Sequence, residues 1–365
     1  MIQNTPSMSS TPSGAGESQA AGIARRLDSA AAPWSRLNWR ALSVVLVLAL
    51  IIPWPLTGFA VGRFILYLLI LFLVWGIVTQ SWNLILGVGG IFSFAQVSLF
   101  AIGGLTSGVL TMQFGISPFL TVWMAPIVAT LAALVIGLPA LRLRGPYIVL
   151  LTLAFGELLR NFATQGPKWI AGGGRGLINV PKFGFEERWG SALGQIPYYY
   201  IALVLFLIAT YVIWRVFHSP IGLSFRALRD SETYATSRGV DPYRFKLLLF
   251  ALSAFFTGLA GGFYVHYNGA MAPSTLSFDL TISLLAMVVL GGWGTFWGPI
   301  LGTALLTALP ELLRDVNEYR NLTMGVILTL IAVFAPDGLF PLLSAWYSKL
   351  FRKKPAKAPS APSSL

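Results

Sequence analysis

The chain has 365 residues, of which 56% are hydrophobic and only 10% charged, whereas a soluble domain carries about a quarter charged residues. It has no cysteine and two histidines, which excludes disulfides, thiolate metal sites and cysteine nucleophiles and argues against a histidine metal site. The net charge of +12 does not point to nucleic acid, because the basic residues sit in short segments beside apolar runs, where charge sets orientation in a membrane.

Residues 1–40 are rich in Ser, Ala, Gly and Pro and hold no apolar run, so a disordered cytoplasmic tail is expected and no cleavable signal. From residue 41 onward, apolar runs of roughly 20 residues recur, each long enough to cross a hydrocarbon core of about 30 Å. Ten spans are predicted, at 41–59, 64–84, 91–112, 118–139, 146–164, 198–217, 247–267, 280–298, 299–313 and 322–340. The ninth is short, and the Gly-rich stretch before it reads as broken or re-entrant. The expected fold is an all-α polytopic transmembrane bundle, with a permease domain over 41–345 and a basic cytoplasmic tail over 346–365.

Three polar groups, Ser93, Gln96 and Ser98, interrupt the third span. They line a path or hydrogen-bond a neighbouring helix. In the fifth span Glu157, Arg160, Asn161 and Thr164 fall within an arc of about 100° on one helix face. Each charge costs roughly 2.5–3.5 kcal/mol near the centre of a bilayer. Such residues form either an ion pair that pins a neighbouring helix or the polar lining of a substrate pathway.

The longest outside connection, Gln165 to Pro197, carries GPKWIAGGGRGL and reads as a flexible lip over a pathway or as a simple loop. After the sixth span comes the one long charged stretch, residues 215–246. Ser219-Pro220 is a helix entry signal, Gly239 is a natural stop, and Asp241-Pro242 repeats the entry. The spacing predicts a docking helix over Ser219–Arg238, a glycine break, and a second helix running into the next span. Phe225 and Leu228 share one face, and Arg226, Arg229 and Asp230 supply a charged one. The loop looks built to be gripped by a soluble partner.

Gly104/Gly108, Gly258/Gly262 and Gly294/Gly298/Gly302 are spaced for close helix packing. With both termini inside, alternation leaves seventeen Lys and Arg on the cytoplasmic side, Arg142 and Arg144 among them. Seven lie outside and Arg160 lies within a span. That asymmetry favours an even number of spans. No G-x-x-x-x-G-K-[ST], G-x-G-x-x-G or H-E-x-x-H occurs, so the chain binds no nucleotide through a P-loop and does not read as an enzyme.

The stretches GVGGIFSFAQVSLFAIGG, RGPYIVLLTLAFGELLR, GGGRGL, GLSFRALRDSETYATSRGVDPYRFKLLLFALSAFFTGLAGGFY, LLAMVVLGGWGTFWGPILG and FAPDGL follow one another in this order. Together they resemble the membrane-spanning permease of branched-chain amino-acid ABC importers, in its longer, M-type form. The same family includes urea and short-chain amide importers. The resemblance covers about residues 64–345 and implies an ABC importer permease fold. It also implies a paired second permease, two cytoplasmic ABC ATPases and a periplasmic substrate-binding protein, with no cofactor or metal in this chain. On that view Gly222, Arg226, Ala227, Arg229, Asp230, Glu232, Ala235 and Gly239 match the coupling loop that docks on an ATPase. Ser93, Gln96, Glu157, Arg160 and Asn161 are the pathway candidates. The chain departs from the family at Leu223 and Ala335, where arginine is usual, and at Gln96, where histidine is common. A stand-alone secondary transporter or channel is the competing class, but it needs ion-coupling groups inside the membrane, and little beyond Glu157 and Arg160 is on offer.

Overall fold

A computed structural model describes residues 60–143, 145–167, 173–186, 190, 193–312, 325, 329 and 338–342. All lie in one unit, Leu56–Leu365. Both tails, the span expected at 41–59, most of that at 322–340, Arg144 and Ala335 fall outside the described residues.

The regular structure among the described residues is helical apart from one pair of two-residue strands. Helix α1 (Ala60–Asn83) runs into a π-helical turn, Leu84–Val88. An irregular stretch leads to α2 (Gln96–Phe114), α3 (Pro118–Ala140) and α4 (Pro146–Gln165). Strand β1 (Leu177–Ile178) follows, then α5 (Gln195–Phe217), α6 (Pro220–Asp230), α7 (Glu232–Ser237) and α8 (Pro242–Asn268). Strand β2 (Ala270–Met271), α9 (Phe278–Gly292) and α10 (Gly298–Leu312) complete it.

Six helices among the described residues are long and apolar enough to cross a membrane: α1 with its π turn, α2, α3, α4, α5 and α8. The boundaries follow local chemistry. Helices α3, α4, α6 and α8 each begin with proline, whose missing N–H is no loss in a first turn. Helices α2 and α8 end at left-handed Gly115 and Gly269. The eighth expected span is cut short. Helix α9 has 15 residues, or about 22 Å at 1.5 Å per residue. The chain then turns through residues 293–297 before α10, with Gly294 at φ 73°, so the broken reading of this Gly-rich stretch holds.

Helix α8 is the centre of the bundle, packed on α3, α2 and α1. It is the most covered span, 72% buried, against 17% for α4. Small residues make that centrality possible. Gly258 and Gly262 face Ala129 and Ala125 of α3, while Gly261 rests on the Phe100 carbonyl of α2 and Gly103 on the backbone of Gly258. A methyl group on Gly261 would lie 2.9 Å from the Phe100 carbonyl carbon and 3.1 Å from Gly104 N. Helices α9 and α10 meet the same way through Gly291, Gly298 and Gly302.

The long connection between α4 and α5 is tied down over its middle part. Leu177 pairs with Met271 and Ile178 with Ala270, and Val180 N–H donates to the Gly269 carbonyl at 2.9 Å.

Candidate functional site

The charged loop folds onto the end of the bundle where α5 ends and α8 begins. Ser219 caps α6, its hydroxyl accepting from Gly222 N–H at 3.3 Å. Phe225 and Leu228 are the buried face of α6. The helix stops about two turns earlier than the spacing suggests, because Ser231 takes an extended conformation and caps a new helix by accepting from Tyr234 N–H. A serine hydroxyl competing for backbone N–H groups is the physical cause. The stretch expected to form one docking helix is therefore two helices, α6 and α7. Gly239 has φ 84° with open space around its missing side chain, and Asp241 then caps α8 by accepting from Tyr243 N–H at 3.0 Å and Arg244 N–H at 3.3 Å.

Most of the loop residues that match the family pattern are turned toward the chain itself. Gly222 sits under the last carbonyls of α5, where a Cβ would come within 3.0 Å of the Phe217 oxygen. Arg226 donates from Nη2 to that oxygen at 3.1 Å, with its guanidinium 5.6 Å from the Phe217 ring centroid. Burial pushes the Arg226 guanidinium below its ordinary value, nearby Arg229 pushes the same way, and Asp230 opposes them. Arginine remains charged throughout. The Ala227 carbonyl accepts from Ser231 N–H at 2.9 Å, Ala235 is buried, and Glu232 pairs with Lys246 of α8 at 2.9 Å. Arg229 donates from Nη1 to the Gly87 carbonyl at 2.7 Å and from Nε to exposed Asp230 at 3.1 Å. The side chains left facing outward include apolar Ile221, Leu223 and Tyr234.

The pathway candidates separate into two groups. Ser93 and Gln96 are buried. Gln96 donates from Nε2 to Ser253 at 2.8 Å and also to Thr257, both on α8. Ser253 in turn donates to the Ser81 carbonyl of α1 at 2.7 Å, and Gln96 Oε1 has no hydrogen-bond partner among the described residues. The Ser93 carbonyl accepts from Trp82 Nε1 at 2.8 Å. Ser98 is buried beside Gly156 of α4. Glu157, Arg160 and Asn161 lie elsewhere, on the outward face of α4. The Glu157–Arg160 pair is 3.6 Å apart with both side chains about half exposed, and Asn161 Nδ2 donates to the Glu157 carbonyl at 3.0 Å. Among the described residues the pair bonds no other helix.

Two polar constellations escape a reading by spacing. The first is Thr79-Gln80-Ser81-Trp82-Asn83 at the C-terminal end of α1, where consecutive residues reach different neighbours. Thr79 bonds Thr303 of α10 at 2.7 Å, Gln80 donates to Thr210 of α5 at 3.0 Å, and Asn83 donates to the Thr295 carbonyl at 2.8 Å. Its signal is five consecutive residues able to hydrogen-bond inside an apolar run. The second surrounds His266, buried at the C-terminal end of α8. Its Nδ1–H donates to the Pro181 carbonyl at 2.7 Å, and its Nε2 lies 2.8 Å from the Ser107 hydroxyl and 3.1 Å from that of Thr121. This ties the connection between α4 and α5 to α2, α3 and α8. Among the described residues no cluster of His, Cys, Asp and Glu is arranged to hold a metal ion.

Comparison with known proteins follows this geometry. Residues 64–335 match a family model described as the permease component of branched-chain amino acid transport systems. The high-affinity branched-chain amino acid transport system permease protein LivM of Escherichia coli (strain K12) is 32% identical over 322 residues, covering 82% of this chain and 75% of that protein. A probable LivM of Methanocaldococcus jannaschii is 25% identical, covering 75% of this chain and 92% of that protein. The autoinducer 2 import system permease protein LsrC of Salmonella typhimurium is 28% identical, covering 75% and 84%. No solved structure matches the chain.

Proposed function

Because the chain belongs to the branched-chain amino acid transport permease family, we propose that it carries branched-chain or related amino acids across a bacterial inner membrane. It is a multi-pass membrane permease, a transport subunit of an ABC importer and not an enzyme. The partners proposed are a second permease, two cytoplasmic ATPases and a periplasmic binding protein. The full topology proposed is ten spans with both termini cytoplasmic, tails at 1–40 and 346–365, and the loop 215–246 docking on an ATPase.

One observation carries the heteromeric reading. Helix α4 is a membrane span of mean hydropathy 1.2 of which only 17% is buried among the described residues. Its open face bears Glu157, Arg160 and Asn161. Exposed to lipid, each of the two charges would cost about 2.5–3.5 kcal/mol, so this face meets protein or water. A second permease closing a watered pathway supplies both. There the carboxylate of Glu157 and the guanidinium of Arg160 meet the ammonium and carboxylate of a zwitterion. Buried Ser93 and Gln96 are the inner polar candidates of the same pathway.

The test is ATP-driven uptake by the purified assembly in liposomes, with leucine, isoleucine and valine against urea and short-chain amides. Accumulation of the three amino acids supports the reading. Accumulation of urea or amides alone replaces it with the amide-importer alternative, and uptake without any ATPase establishes a stand-alone transporter.

A further inference from the structure

The coupling-loop reading names where an ATPase pushes but not what the push moves. One loop side chain hydrogen-bonds the π turn at the end of α1. Arg229 donates to the Gly87 carbonyl at 2.7 Å, a charge-assisted bond of the stronger kind. Gly87 lies in the π-helical turn Leu84–Val88, where Gly89 N–H bonds back to Leu84 O and Ile91 N–H to Ile85 O. Such turns are rare and concentrate at functional places in helices. The next segment leaves the helix, so the ladder stops here and the carbonyl is free to be gripped from outside.

The far side of the same turn grips the α9–α10 connection. Asn83 accepts from Gly294 N–H at 2.7 Å and donates to the Thr295 carbonyl at 2.8 Å. Both ends of one buried amide are thus committed to two consecutive backbone groups. No slack separates the parts: a Cβ on Gly87 would lie 2.7 Å from Gly294 Cα, and one on Gly294 would lie 3.3 Å from the Gly87 oxygen. A cavity of about 590 Å³, lined in part by Gly89, Gly90, Phe92, Arg229, Glu232 and Lys246, opens beside the Arg229 contact. The loop therefore has room to shift while the turn it holds does not.

We propose that Arg229 and Asn83 are positioning residues of one linkage, through which movement of the loop is delivered to the α9–α10 turn by way of the π turn of α1. The linkage rests on the reading of residues 215–246 as the ATPase-docking loop. Pulling on the Gly87 carbonyl tightens or releases the π turn, and the Asn83 amide passes that change to Gly294 and Thr295. The hairpin of α9 and α10 then tilts against α1, to which Thr303 is also bonded through Thr79.

The cysteine-free sequence permits a direct test. A nitroxide on Trp293→Cys, at a half-exposed position of the turn, reports nucleotide-dependent mobility in the whole assembly. The label is compared in the parent, in Arg229→Lys and in Asn83→Ala. Arg229→Lys keeps the charge but loses the fork that reaches Gly87 and Asp230 together. The expected result is a label that responds to nucleotide in the parent and stays silent in both variants. Uptake per ATP hydrolysed should fall about tenfold, the scale of one lost charge-assisted bond, while the ATPase still co-purifies. A label that responds in both variants as in the parent overturns the linkage, and so does loss of the bound ATPase in Arg229→Lys, which would make Arg229 a docking contact. If Asn83→Ala does not fold, Arg229→Lys decides alone, since its side chain lies in the exposed loop. A parent assembly without ATPase sinks the coupling-loop reading itself, a different outcome from a coupled parent with responsive variants.

Discussion

Arg226 and Leu223 stand three positions apart on α6, about 60° around the helix, yet meet different surroundings. Arg226 is stitched to Phe217 by a hydrogen bond and a cation–π contact, while Leu223 is exposed. Arg226→Ala should therefore cost about 1.5–3 kcal/mol of loop anchoring, the scale for a hydrogen bond to a charged group. It should lower the thermal midpoint of the purified permease. Leu223→Asp should leave that midpoint unchanged and weaken ATPase co-purification. Equal co-purification with the parent would remove Leu223 from the docking surface. Glu157→Gln on α4 separates two roles in the same manner. A pathway role predicts lower uptake with normal expression and assembly, whereas an ion pair that only stabilises predicts lower yield with unchanged uptake per folded molecule. That Glu157, Arg160 and Asn161 share a face was legible from a 3.6-residue period. The direction of that face was not, because it depends on which helices pack against α4.

At the scale of elements, the loop works as a bent pair of helices only if the backbone holds its bend at Gly239. No atom crowds the missing side chain there, so the constraint is φ 84° alone. Gly239→Val should cost about 1–3 kcal/mol locally, and Gly239→Asn, which tolerates the left-handed region, should recover most of it. Hydrogen exchange at the N-terminus of α8 would read both, and equal protection in the valine and asparagine variants would show that the bend does not depend on this residue. The α2–α8 crossing makes the contrasting case, in which space and not φ is limiting. Gly261→Leu drives a side chain into the Phe100 carbonyl and the Gly104 backbone. Overpacking of this kind costs 1–3 kcal/mol, occasionally more, and backbone cannot swing aside as a side chain can. Thermal unfolding in detergent should show it, against no change for Gly115→Asn, where the glycine is left-handed and nothing surrounds the missing side chain.

For the whole molecule, the proposed ten spans place residue 20 and residue 358 inside and the region near Gly173 outside. Reporter fusions at those three places should read inside, inside and outside. An outside signal at residue 358 would require an odd number of spans. The charge split that motivates the even count, seventeen against seven, is a property of the sequence and acts during insertion, before tertiary packing exists.

The sequence alone determined the helical membrane class, most span boundaries and the caps at Ser219, Gly239 and Asp241. Hydropathy, proline and glycine act over a few residues and need no partner to do so. It also carried the family resemblance, through short stretches in a fixed order. Only the tertiary structure decided that Arg226 and Arg229 turn inward and that α4 shows its ion pair to the outside. The same holds for the five consecutive residues from Thr79 to Asn83, which reach Thr303, Thr210 and the α9–α10 turn. Those partners lie 130 to 224 positions away in the chain, and no local rule relates residues so far apart. What joins them is the close approach of helices at glycine, which fixes which polar groups meet and leaves the rest to a partner.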